Sequence, residues 1–185
     1  MNPFAAFSID KTWTLFLDRD GVINERIKGG YVQTPEQFVF LPGVPDAIAQ
    51  LGKFFGKVVV VTNQQGIGKG LYSHDDLTAI HQQMKREIEK CGGRIDAVFY
   101  APNLASENSP LRKPGTGMAL NAQKVFPQID FGKSIMVGDT SSDMQFARNA
   151  GMKAVFCCDT EEVVSADVRV SSLAEFASYI SGLNT

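Results

Sequence analysis

Cysteine is scarce. Cys91, Cys157 and Cys158 are the three in 185 residues, and they form neither a metal-ligand spacing nor a disulfide framework. That excludes a small stapled scaffold and a cysteine-held metal domain. The adjacent pair Cys157 and Cys158 follows an apolar run and is read as buried thiols, not as a redox pair. Histidine is scarcer still: His74 and His81 fall within one helical pattern but are not spaced to share a metal, so surface or packing roles are expected. No apolar run approaches membrane-spanning length, and residues 1–11 lack a charged segment followed by a long apolar one. An excess of one charge is missing too. Eighteen basic residues against twenty acidic ones leave a net charge of -2, which gives no electrostatic footprint for nucleic acid or an acidic membrane. A reducing cytoplasm fits this usage, and a monomer is expected.

What is present is ordinary for a globular protein. Hydrophobic residues make up 44% and charged residues 21%, and the length suffices for one domain, 1–185, with a substantial core. Short apolar runs alternate with helical periodicities. Strands are expected at 13–17, 58–61, 95–100, 134–137 and 154–157, with a short edge strand at 168–170. Between them Val44, Ala47, Ile48, Leu51 and Phe55 recur at helical spacing, with Gly56 closing the helix. Leu77, Ile80, Met84 and Ile88 stripe a second helix opened by Ser73 and Asp76 and stopped by Gly92-Gly93. Met118, Ala122, Val125 and Phe126 mark a third, residues 142–150 a fourth and 173–183 a last. Residues 25–40, with Gly29-Gly30 and Thr34-Pro35, suggest a hairpin or flap and then a turn. The alternation argues for an α/β fold with a mostly parallel sheet flanked by helices.

Polar clusters sit just beyond four of these elements: Asp18 and Asp20, Thr62 and Asn63, Lys113, and Asp139 with Asp143. In a parallel sheet the C-terminal strand ends share one rim, where ligands bind. Asp18-Arg19-Asp20-Gly21 alone serves equally well as a polar turn ending a strand. Together, however, the carboxylates would repel strongly without a divalent cation, and oxygen-only ligands suit Mg²⁺. A hydroxyl, an amide and a lysine beside them suit a phosphoryl group, whose oxygens need donors and positive charge as the bond to the leaving group breaks. Gly66-x-Gly68-x-Gly70 lacks the Ser or Thr of a Walker A motif and is read as a mobile substrate loop, with Lys69 available to a distal anionic group.

Asp-x-Asp-Gly, a strand ending in Thr-Asn, Arg-Lys-Pro at 112–114, and Gly-Asp-x-x-x-Asp at 138–143, in that order, resemble the haloacid dehalogenase-like phosphohydrolases. The stretches 18–24, 62–70 and 112–114 are similar to the branch that contains heptose bisphosphate phosphatases and the histidinol-phosphatase domain. The resemblance implies a Rossmann-like core, with inserts too short for a large cap. It implies Asp18 as nucleophile, forming an aspartyl-phosphate, and Asp20 as acid and then base. Mg²⁺ would be held by the carboxylates of Asp18 and Asp139 and the Asp20 carbonyl. Asp143, also counted with the metal residues, would orient Lys113 or water at the metal. Thr62 and Asn63 would donate to the phosphoryl group and Arg112 would contact substrate. The substrate implied is a small phosphorylated metabolite, a heptose bisphosphate or similar sugar phosphate, with histidinol phosphate as the alternative. A nucleic-acid 3′-phosphatase or a non-catalytic binding module fits less well. Zinc-bearing members carry Cys and His just before Arg-Lys-Pro, whereas 101–111 here has neither, so no structural zinc is expected.

Overall fold

A computed structural model describes residues 2–159 and 164–183. Six strands form one sheet: β1 (Thr14–Leu17), β2 (Lys57–Asn63), β3 (Ala97–Ala101), β4 (Ser134–Gly138), β5 (Lys153–Cys157) and β6 (Val168–Val170). Their order is β3-β2-β1-β4-β5-β6, and every pairing is parallel. The chain therefore winds outward in one direction from β1 to β3, then returns to β4 on the other side of β1. That reversal is the position at which open α/β sheets place their ligand crevice.

The strands β2, β1, β4 and β5 are buried on both faces, which is why they read as apolar runs without polar alternation. Leu15, Leu17, Val58, Val60, Ile135 and Val137 face one layer, formed by α1 (Val44–Leu51), α3 (His74–Lys90) and α6 (Leu173–Ser181). Phe16, Val59, Val61 and Met136 face the other, formed by α4 (Gly117–Val125) and α5 (Ser141–Ala150). The capping box expected at Ser73 and Asp76 is present at the start of α3. Gly92 follows that helix with φ +78.

Four local expectations are corrected. The helix α1 ends at Leu51, not at Gly56. Gly56 instead lets the chain enter β2 against the N-terminal segment, since a Cβ there would lie 2.1 Å from the Lys11 carbonyl oxygen. Val125 is 58% exposed, so the buried stripe of α4 is Met118, Ala119 and Ala122. Of the hairpin or flap expected over 25–40 the hairpin does not form, the segment being held by single bridges, Asp20 to Asn24 and Asn24 to Phe40, while the turn expected after it is present as a 3₁₀ turn at Pro35–Gln37. The glycine-rich stretch is a packed helical turn, α2 (Gln65–Gly68), not an open loop. A Cβ on Gly66 would meet the Tyr72 ring at 2.2 Å, and one on Gly68 the Pro102 carbonyl at 2.7 Å. Those glycines are there for close approach.

Candidate active site

Asp18 is the first residue past β1, and its backbone N–H continues the ladder to β4 by donating to the Val137 carbonyl at 2.9 Å. The strand thus delivers its carboxylate to the floor of a cavity of about 440 Å³ at the sheet rim. Lys113 reaches the same floor from the loop before α4. Its Nζ is buried and donates to Asp18 Oδ1 at 2.8 Å and to the Val61 carbonyl at 2.8 Å, and it pairs with Asp143 Oδ1 at 2.6 Å. The two carboxylate oxygens of Asp143 face different neighbours. Oδ1 faces Lys113, while Oδ2 accepts from the Thr140 backbone N–H at 3.0 Å in a capping box that starts α5. This geometry suits it to orient the lysine. Gly138 makes room for it: a Cβ there would fall 2.2 Å from Asp143 Cβ.

Asp20 is clamped separately. Arg19 Nη2 donates to both of its oxygens at 2.9 and 3.0 Å, Asn24 Nδ2 to Oδ1 at 3.0 Å and Gln64 Nε2 to Oδ2 at 2.8 Å. Burial raises the Asp20 carboxyl, but the Arg19 guanidinium and these hydrogen bonds outweigh it and hold it below its ordinary range. Arg19 is fully buried, and its Nη1 lies 3.1 Å from His81 Nε2. Burial, then the arginine, push the imidazole down to about 3, so His81 stays neutral and accepts. The packing role expected of His81 is thus a specific one. Arg19 and Gln64 were not singled out from the sequence. Alternation along the strand turns Arg19 away from the Asp18 face and into the core layer, and a core-facing arginine at a strand end is itself a signal that a carboxylate partner is near.

Thr62, Asn63, Lys69, Arg112 and Lys113 line the cavity together with Asp18, Asp20 and Asp143. The Thr62 hydroxyl oxygen already accepts from Gln64 Nε2 at 2.8 Å, which leaves its proton to donate into the cavity. The side chain of Asn63 works otherwise than expected. It accepts from the Lys113 backbone N–H at 2.9 Å and donates to the Lys113 carbonyl at 3.1 Å, so it fixes the lysine loop instead of serving first as a phosphoryl donor. Lys69 Nζ donates to the Tyr31 hydroxyl at 3.0 Å. Arg112 Nη1 is buried with no hydrogen-bond partner, a donor still to be satisfied at the cavity wall. Arg26, which the sequence reading passed over, puts Nη2 2.8 Å from Asp139 Oδ1 and 2.9 Å from the Asp20 carbonyl.

The family described as polynucleotide kinase 3 phosphatase matches residues 4–161. The D-glycero-alpha-D-manno-heptose-1,7-bisphosphate 7-phosphatase of Mycobacterium bovis is 38% identical over 170 residues, covering 89% of this chain and 90% of that protein. The chain belongs to the heptose bisphosphate phosphatase branch of the haloacid dehalogenase-like hydrolases. A second member, the D-glycero-beta-D-manno-heptose-1,7-bisphosphate 7-phosphatase of Rhodopseudomonas palustris, is 40% identical over 147 residues, 74% of this chain and 78% of its own. Among solved structures of the branch, the D,D-heptose 1,7-bisphosphate phosphatase of B. bronchiseptica, complexed with magnesium and phosphate, superposes with a TM-score of 0.80. It is 29% identical and covers 92% of this chain and 98% of its own.

The residues of this member of the branch fit a hard divalent cation. Oxygens of Asp18, Asp139 and Asp143 all lie within 4.8 Å of one another. Gly21, at φ +95, keeps the chain tight against Asp139, because a Cβ there would sit 2.0 Å from Asp139 Oδ2. The carboxylates of Asp18 and Asp139 and the Asp20 carbonyl are the groups that would hold Mg²⁺, with Asp143 beside them across Lys113. Burial and then Asp143 push Asp18 up to about 6 against the pull of Lys113. Burial and then Asp18 push Asp139 up to about 7 against Arg26. Both folded-state values exceed the ordinary 3.8, so the metal-free fold binds protons that the unfolded chain has released. The contribution of these two carboxyls to stability is therefore fully present below about pH 4 and is lost as pH rises through about 6 to 7. Mg²⁺ binds the deprotonated forms, so its thermal stabilisation should be larger at pH 8 than at pH 5, as differential scanning fluorimetry can measure. An equal or smaller shift at pH 8 would contradict these surroundings. EDTA should abolish phosphate release and Mg²⁺ restore it, whereas stoichiometric zinc in untagged protein would contradict the expectation for the 101–111 loop, which is tied by Asn103 and Glu107.

Proposed function

We propose that this phosphatase removes one phosphoryl group from a small sugar bisphosphate, D-glycero-D-manno-heptose 1,7-bisphosphate fitting best, through an aspartyl-phosphate on Asp18. One cavity carries the reading: Asp18, Asp20, Thr62 and Lys113 line it together with Lys69 and Arg112, which offers cationic donors beyond those the transferring group needs. A ligand with a second phosphate satisfies them. Histidinol phosphate, which brings an ammonium, would face like charge from the same side chains. A polynucleotide finds no basic strip on a chain of net charge -2.

Asp18 attacks phosphorus as the P–O bond to the sugar breaks, the leaving sugar oxygen takes the proton carried by Asp20, and Lys113 offsets the repulsion between the Asp18 carboxylate and the phosphoryl oxygens. A bound divalent cation supplies further positive charge to the phosphoryl group. Thr62 donates its hydroxyl proton to a phosphoryl oxygen. Asp20, ionised in its clamp, gains a proton affinity suited to an acid once a phosphoryl anion arrives beside it, and returns to base for the water that cleaves the acyl phosphate. The whole chain acts as a single catalytic domain, and a monomer in a reducing cytoplasm suffices for that chemistry.

The test is a phosphate-release panel of both heptose 1,7-bisphosphate anomers, the corresponding monophosphate, histidinol phosphate and a 3′-phosphorylated oligonucleotide. A heptose bisphosphate should exceed the monophosphate in kcat/KM by at least about tenfold, as expected for a charged hydrogen bond to the second phosphate. Preference for the oligonucleotide or for histidinol phosphate would overturn the substrate assignment while leaving the phosphatase chemistry intact.

A further inference from the structure

Arg26 meets three oxygens with a single nitrogen. Its Nη2 lies 2.8 Å from Asp139 Oδ1, 2.9 Å from the Asp20 carbonyl oxygen and 3.9 Å from Asp18 Oδ2. These are the groups that would hold Mg²⁺. A nitrogen that converges on these oxygens stands where a Mg²⁺ ion bonded to them at about 2.0–2.1 Å would sit, and two cations cannot occupy that point together. We infer that Arg26 is a built-in competitor for the metal: its guanidinium holds the cation position in the metal-free protein and must swing out when Mg²⁺ binds. The inference rests on the metal position described above.

Of the two cations paired with Asp18, Arg26 is the one exposed enough to leave. The Lys113 side chain is 2% exposed and bound on three sides, whereas that of Arg26 is 46% exposed. The backbone before it is anchored, by Glu25 N–H to the Val39 carbonyl at 2.8 Å and by Asn24 Nδ2 to the Glu25 carbonyl at 2.9 Å. The stem therefore pivots from a fixed point, into a cavity that Arg26 already lines. Arginine suits the part because it stays charged at any working pH and its head is planar and weakly hydrated. A cation that neutralises the carboxylates without closing the site lowers the apparent affinity for Mg²⁺ by the fraction of molecules in which it is seated.

The two sides of this competition are linked. Whatever Arg26 adds to the stability of the metal-free protein is subtracted from Mg²⁺ binding. Titration calorimetry of metal-free protein with MgCl₂, without substrate, should therefore give a Kd about tenfold lower for Arg26→Ala and Arg26→Gln than for wild type, as expected for loss of one half-exposed charge-assisted contact. Without metal both variants should melt below wild type, and at saturating Mg²⁺ the difference should vanish. A Kd unchanged or raised in both variants overturns the inference. Asp139→Asn separates it from the reading beneath: that variant must lose Mg²⁺ binding. If it binds Mg²⁺ like wild type, the metal position is wrong and the competition falls with it. If it loses binding while the Arg26 variants match wild type, the role of Arg26 alone fails.

Discussion

Asp18→Asn will fold and will not turn over. The amide has no lone pair of carboxylate strength with which to attack phosphorus, so phosphate release should fall on the order of ten-thousandfold or more, as for removal of other covalent nucleophiles. The fold should survive for a reason that is visible at the site. Asp18 is buried among like charges, which, after burial itself, is what pushes its carboxyl up to about 6. Exchanging it for a neutral group of equal size relieves that repulsion. Lys113 keeps Asp143 at 2.6 Å and the Val61 carbonyl at 2.8 Å, so the ammonium is not left unpaired. The melting temperature of metal-free Asp18→Asn should therefore match or exceed that of wild type. A folded variant that releases phosphate at a near-normal rate would remove Asp18 from the chemistry.

Lys113→Ala should be damaged in two ways at once. The lysine stands between Asp18 Oδ1 and Asp143 Oδ1, and although burial alone would lower its pKa, those two carboxylates hold it above the ordinary range. Truncation leaves two buried carboxylates facing each other without a cation, which costs about 3–5 kcal/mol where a buried pair loses one partner. Turnover should fall about a hundredfold or more, since a charge-stabilising donor is lost from the transferring group. Mg²⁺ should still bind, and should stabilise this variant more than wild type, because it replaces the missing positive charge. Lys113→Arg should recover little. Asp18, Asp143 and the Val61 carbonyl close around the ammonium as a point charge, and a planar fork does not fit there. Unchanged turnover with unchanged stability would place Lys113 outside the site. Lost stability with unchanged turnover would make it purely structural.

That Asp18, Asp20, Lys113, Asp139 and Asp143 converge was legible in the sequence because each lies in a loop at the same end of the predicted elements. A polar residue just past an apolar strand of a parallel sheet lies on the binding rim, whatever the packing beneath it. The strands were legible for a related reason: burial on both faces leaves unbroken runs such as Val58–Val61. What escaped depends on contacts between residues far apart in the chain. Gly66 and Gly68 read as freedom, but Tyr72 and Pro102 make them sites of close approach. Asn63 read as a ligand donor, and only the path of the 112–114 loop shows that its amide is turned toward the Lys113 backbone. Arg26 carried no signal, because nothing near it in sequence reveals that the segment folds back over Asp139. Val125 kept helical spacing with Met118 and Ala122 yet lies outside the stripe, because α4 ends at that residue.

The central claim is that a covalent bond forms between phosphorus and Asp18 before water attacks. Two successive in-line displacements return phosphorus to its starting configuration, whereas a single attack by water inverts it. The most direct measurement is the stereochemical course of hydrolysis, in isotopically labelled water, of a substrate whose transferring group is an isotopically chiral phosphorothioate. Retention of configuration is the predicted result. Inversion would show that water attacks phosphorus directly, and that Asp18 is not the nucleophile.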